Sequence, residues 1–196
     1  LEALVAHSRS QRLDLSPLVP FADADELARL RASPPAAVIE GLMLKRVDSP
    51  YLAGRPRGHW FKWKRAALTA DCVLMYAQRG HGKRSGLYSD FTFGAWTDDG
   101  STLLPVGKAY FGFTDKELAF IDRYVRENTV DRFGPVRSIR ADAEQGLVFE
   151  IEFEGIGLSG RHKSGIALRF PRISRIRQDK PTREADTISA MKKLIA

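Results

Sequence analysis

Two lysines one residue apart, Lys62 and Lys64, lie in the segment His59-Trp60-Phe61-Lys62-Trp63-Lys64-Arg65. In an extended strand successive side chains point to opposite faces, so Trp60, Lys62 and Lys64 line one face and Phe61 and Trp63 the other. Such a strand can present paired ammonium groups to an anion while its second face grips a core. A half-buried strand with a solvated basic side gives the same pattern, and the segment alone leaves both readings open. The composition leans toward anions. There are 31 Lys and Arg against 24 Asp and Glu, for a net charge of +7. A basic balance favours polyanionic partners, and arginine's planar fork suits phosphate oxygens, although such charge also simply keeps proteins soluble.

Other chemistries find no support. Gly155-Ile156-Gly157-Leu158-Ser159-Gly160 matches a dinucleotide fingerprint and follows a predicted strand, but the fingerprint needs a helix to open there. Arg161 to Gly165 reads as loop, so the segment is expected to be a glycine-rich bend. The stretch from Gly80 to Gly86 shares only Gly-Lys with a phosphate-binding loop, and Arg84 stands where Ser or Thr would bind magnesium. It reads as a basic loop, either solvated or contacting nucleic acid through Arg79, Lys83 and Arg84. His7, His59, His81, His162 and Cys72 lack zinc spacing, and no serine sits in G-x-S-x-G. With Cys72 alone no internal disulfide can form, which fits a reducing cytoplasm. No run approaches the roughly 18 apolar residues of a membrane helix, and the start lacks a signal-peptide layout. The chain opens on Leu1 and its first methionine is Met43, so it reads as part of a longer chain.

The elements that must position these residues follow from their patterns. Residues 2–9 predict a short helix. Asp23 with Glu26 predicts the start of another, which Ser33-Pro34-Pro35 ends. Strands are predicted over 38–46 and 59–65. In the first, Glu40, Leu42 and Leu44 share one face, and Gly41, Met43 and Lys45 the other. Beyond Arg65 come strands at 71–78, 91–96 and 102–109. A helix over 114–128 follows, with a capping box of Thr114 and Glu117. Residues 147–155 alternate cleanly, with Leu147, Phe149, Ile151 and Phe153 inward and Glu150, Glu152 and Glu154 outward. A last strand pair is expected at 166–170 and 173–177, then a closing helix over 186–195. This is a mostly β, α+β pattern: an antiparallel OB-fold barrel with an inserted helix over 66–196, preceded by an incomplete domain over 1–65.

Three segments become informative together. They are Glu40-Gly41-Leu42-Met43-Leu44-Lys45, then Trp60-Phe61-Lys62-Trp63-Lys64, then Leu168-Arg169-Phe170-Pro171-Arg172 running on to Arg177-Gln178-Asp179-Lys180. In this order and spacing they resemble motifs IV, V and VI of the ATP-dependent DNA ligases. The resemblance covers essentially the whole chain. It implies that residues 1–65 end a nucleotidyltransferase (adenylation) domain and that 66–196 form the OB-fold domain. It also implies three displacements at phosphorus. A lysine attacks ATP and keeps AMP, AMP passes to the 5′-phosphate of a nick, and the 3′-hydroxyl displaces AMP.

By this resemblance Glu40 holds Mg²⁺ or another divalent cation, Lys62 and Lys64 hold the α-phosphate, and Arg57 adds a phosphate or DNA contact. Arg177, Asp179 and Lys180 orient the leaving pyrophosphate. Lys163, Arg169 and Arg172 join Arg79, Lys83 and Arg84 as DNA contacts, with a surface ion pair as the other reading of Arg172. The implied partner is nicked double-stranded DNA, in repair or recombination, with a location in the cytoplasm at the bacterial nucleoid and no membrane contact. The family's K-x-D-G nucleophile follows none of the chain's lysines, so the chain alone is expected not to take up AMP. The competing reading is a non-catalytic OB module that binds nucleic acid.

Overall fold

The computed structural model describes residues 2–36, 39–80, 82 and 85–195. They fall into two compact units, residues 1–65 and 66–196.

The first unit holds helices α1 (Glu2–Ser8) and α2 (Ala24–Ala32) and strands β1 (Gly41–Lys45) and β2 (Trp60–Lys64). Asp23 caps α2 by accepting the Glu26 N–H (2.8 Å), as its pattern predicts. The strands pair antiparallel, with Gly41 opposite Lys64 and Met43 opposite Lys62. None of the described residues of this unit is fully buried.

The second unit is built on β3 (Leu68–Arg79), a 12-residue strand that pairs with three others. Around it lie β4 (Tyr88–Trp96), β5 (Leu103–Ala109), α3 (Asp115–Glu127), β6 (Thr129–Phe133), β7 (Val136–Ile139), β8 (Val148–Phe153), β9 (Gly155–Leu158), β10 (Ile166–Arg169), β11 (Arg172–Ile176) and α4 (Ile188–Lys192). The main sheet runs β11-β8-β3-β4-β5, all antiparallel, with α3 inserted between β5 and β8 in the chain. This is the strand order expected of an OB-fold. The core is aromatic and aliphatic: Phe91, Phe93, Phe149, Ile151, Phe153 and Ile166, with Leu118, Ile121 and Val125 from α3. Burying each such side chain stabilises the fold by about 1.5–3 kcal/mol. The alternation of β8 is as predicted, with Phe149, Ile151 and Phe153 buried and Glu150 and Glu152 facing out. The capping box of α3 forms in both directions: the Thr114 N–H donates to Glu117 (2.7 Å) and the Glu117 N–H to Thr114 (3.3 Å).

The structure departs from the sequence pattern in four places. The barrel is open. No ladder joins β5 to β11 among the described residues, and one bond, from the Ile173 N–H to the Phe111 carbonyl (3.1 Å), links those edges. Gly112 turns the chain away there, at φ +100° and so close to Ile173 that a Cβ would lie 2.0 Å from its carbonyl oxygen. Residues 155–158, expected to be a bend, form β9 and pair with β10. Strands β10 and β11 do not pair with each other, because Phe170 (φ 51°) and Pro171 turn a corner between them and β11 joins β8 instead. The β6–β7 hairpin, which pairs with the far end of β3, has no counterpart in the sequence pattern.

Candidate functional site

The β1–β2 ribbon places Lys62 and Lys64 on one face, both exposed. Strict alternation would put Glu40 on the opposite face, because Gly41 is the residue facing Lys64. The carboxylate nevertheless reaches the Lys64 ammonium at 3.3 Å. The change of side occurs at Gly41, whose φ of +146° favours glycine. The approach is also too tight for any side chain: a Cβ on Gly41 would lie 2.4 Å from the Trp63 carbonyl oxygen. The Arg65 N–H donates to the Glu40 carbonyl (2.8 Å) and fixes the strand end. Both members of the ion pair are part-exposed, so it contributes about 0–1 kcal/mol to stability and matters for position. Trp63 anchors the other face, with the Arg31 guanidinium 4.6 Å from its ring centre. Phe61, expected beside it, is 53% exposed and anchors nothing strongly. Lys45 lies over Trp60 at 4.6 Å. Arg57 is exposed in the connecting bend.

In the second unit, Arg177, Asp179 and Lys180 form one charged cluster around a residue that the motifs do not mark. Asp71 of β3 accepts from Arg177 (3.0 Å) and Lys180 (2.7 Å), while Arg177 also donates to Asp179 (3.0 Å). The Asp71 side chain is only 13% exposed, so it is a largely dry carboxylate facing two cations. The hydrogen bond from Arg177 holds the Asp179 carboxyl below the usual carboxylate range, and the same bond raises the guanidinium. The segment that follows is pinned down. The Asp71 N–H donates to the Asp186 carboxylate (2.8 Å), the Asp186 N–H donates back to the Asp71 carbonyl (2.8 Å), and the Trp96 indole donates to the Thr182 carbonyl (2.6 Å). Val73, Trp96, Val148 and Ala185 form a small apolar cluster beneath it. Next to Asp71, burial pushes the Cys72 thiol up, so it stays protonated.

Of the remaining candidates, Lys163 is exposed in a turn. The Arg169 guanidinium lies 5.3 Å from the Phe170 ring centre. Arg172 is engaged by Glu152 at 2.6 Å, the ion-pair reading of that residue. Arg79 closes β3 beside Tyr88. Lys83 and Arg84 lie outside the described residues. No cluster of three His, Cys, Asp or Glu that could hold a metal occurs among the described residues. No helix among them is long and apolar enough to cross a membrane.

Residues 84–180 match the family described as the ATP dependent DNA ligase C terminal region. A probable DNA ligase of Koribacter versatilis is 43% identical over 178 residues, which cover 91% of this chain and 30% of that protein. A DNA ligase of Natronomonas pharaonis is 37% identical over 194 residues, covering 99% of this chain and 33% of that one. The chain thus spans about a third of the length of these relatives. Among solved structures, the ligase domain of M. tuberculosis LigD shares the fold with a TM-score of 0.51 at 22% identity, over 94% of this chain and 58% of that one.

Proposed function

Because the chain belongs to the ATP-dependent DNA ligase family, whose C-terminal region it carries, we propose that it serves an enzyme that seals nicks in double-stranded DNA through enzyme–AMP and DNA–adenylate intermediates. Residues 1–65 end the adenylation domain and 66–196 are the OB-fold domain. The observation that carries this reading is the Glu40 carboxylate at 3.3 Å from Lys64, with Lys62 on the same exposed face.

Each step is a displacement at phosphorus, where protein groups chiefly position the reactants and balance charge. Lys62 and Lys64 hold the α-phosphate oxygens and offset the charge that builds on them. Glu40 keeps Lys64 in place and, as a part-exposed carboxylate, fits as one oxygen ligand of a divalent cation. Bound there, such a cation would neutralise phosphate charge. Arg177 and Lys180 meet the departing pyrophosphate, and Asp71 positions both. Arg57 contributes a phosphate contact. DNA as substrate places the enzyme at the nucleoid in the cytoplasm.

The 196 residues hold no K-x-D-G lysine. Incubated with ATP labelled at the α-phosphate and Mg²⁺, the chain forms no labelled adduct, whereas the intact enzyme forms one and seals a nicked duplex. A stable adduct on this chain refutes the assignment of the nucleophile. An intact protein that binds DNA but neither takes up AMP nor seals nicks favours the non-catalytic module.

A further inference from the structure

Four arginines converge where β3 ends and the basic glycine-rich loop begins. Arg79 closes β3, Arg126 lies in the last turn of α3, and Arg132 and Arg137 sit directly opposite each other on β6 and β7. With Tyr88 and Thr129 they line a cavity of about 260 Å³. Tyr88, 4% exposed, forms its floor. The guanidiniums of Arg79, Arg126 and Arg137 lie 5.6, 5.6 and 6.0 Å from its ring centre. Backbone pairing causes the convergence: Arg79 is opposite Tyr88, and Arg137 is opposite Ala77, two residues along the same face of β3.

The charges are unbalanced. Asp122, buried on α3, accepts from the Tyr88 N–H (2.9 Å) and from Arg126 (2.7 Å), which accounts for Arg126. Arg79, Arg132 and Arg137 have no carboxylate partner among the described residues. Arg137 donates to the Gly134 and Val136 carbonyls (2.9 and 3.2 Å), which orients its fork and leaves donors over. Like charges directly opposite on antiparallel strands destabilise the pair. Arg132 and Arg137 therefore oppose folding unless an anion lies between them. Arginine's fork matches phosphate oxygens, and stacking on a ring leaves its N–H groups free to donate outward.

We propose that this cavity binds a phosphate group, and that the group belongs to the backbone of duplex DNA. Arg79, Arg126 and Arg132 are exposed, so the site is open and suits a strand passing over it rather than an enclosed small ligand. The ligase reading supplies only the identity of the polyanion.

The test is a salt series of nicked-duplex binding by the full chain carrying Arg132→Gln and Arg137→Gln. The control carries Arg9→Gln and Arg12→Gln, which removes equal charge from an exposed segment. We expect the pocket variant to bind about tenfold more weakly than the control. Its slope of log affinity against log salt should be shallower by about 0.9 for each DNA phosphate that the variant no longer neutralises. Its Tm should hold or rise, because the like-charge pair is relieved. Arg79→Gln alone should give a smaller loss in the same direction, which guards against a folding defect in the double variant. Unchanged affinity and slope in the pocket variant overturn the proposal while leaving the ligase reading intact. Orthophosphate binding that the substitutions abolish, with DNA affinity unaltered, overturns the assignment to DNA. No DNA binding by the unsubstituted chain overturns the proposal, and AMP uptake by the intact protein remains the separate test of the ligase reading.

Discussion

A single glycine decides whether Glu40 and Lys64 can meet. Side-chain alternation alone assigns Glu40 to the wrong face, and Gly41 corrects it with a backbone conformation and a closeness that other residues rarely reach. Gly41→Ala should force β1 and β2 apart at a cost of about 1–3 kcal/mol. In the intact enzyme it should lower AMP uptake well beyond what that loss of stability explains, as read from adduct yield beside thermal melting. The paired lysines were legible because strand periodicity puts positions two apart on one face. Asp71 was not, because it lies 106 positions from Arg177 and carries no spacing signal. Asp71→Asn keeps the volume and removes the charge, leaving Arg177 and Lys180 to share a single neutral amide oxygen in place of a carboxylate. We expect a stability loss of about 1.5–3 kcal/mol. Adenylylation should be slower, while sealing of an already adenylated nick is retained. Equal losses in both steps would mean that Asp71 serves folding alone.

The elements that position these residues were legible where periodicity was strong. Strand β8 and helix α3 follow from their alternation and capping box. The β6–β7 hairpin was hidden because Thr129 to Ile139 is short and charged, and its pairing with β3 is a tertiary event. β9 was hidden because Gly155 and Gly157 weaken any strand signal. The segment after β11 is held by charge and hydrogen bonds, so it should respond to acid. The Asp179 carboxyl is held below the ordinary aspartate value by Arg177. Its contribution is therefore complete above the unfolded value, near pH 4, and is lost as pH falls through the lowered folded value. In the β4–β5 turn, Asp99 is held down to about 2 by Thr97 and Ser101 in the same sense. Carboxyl NMR titration should give both aspartates midpoints below those of exposed, unbonded aspartates. An ordinary midpoint for Asp179 would contradict its pairing with Arg177.

Across the whole molecule, the burial pattern separates the two units. The second has an aromatic core closed by α3, whereas the first presents Leu18, Val47, Tyr51 and Phe61 on its surface. A unit in which none of the described residues is buried draws little stability from the hydrophobic effect. The chain spans about a third of the length of the ligases to which it is similar. The net positive charge and the three ordered motifs pointed to phosphate chemistry from the sequence, and the arginine cavity extends that charge to a place no motif marks. The central claim is that Lys62 and Lys64 handle phosphate rather than support packing. Its most direct test is AMP uptake by the intact enzyme carrying Lys62→Ala or Lys64→Ala, with melting temperature measured on the same samples. The account predicts that adduct formation falls by about 100-fold, the scale of losing one preorganised charge, while the melting temperature stays within about 2 °C. Full adduct formation, or activity and stability falling together, would contradict it.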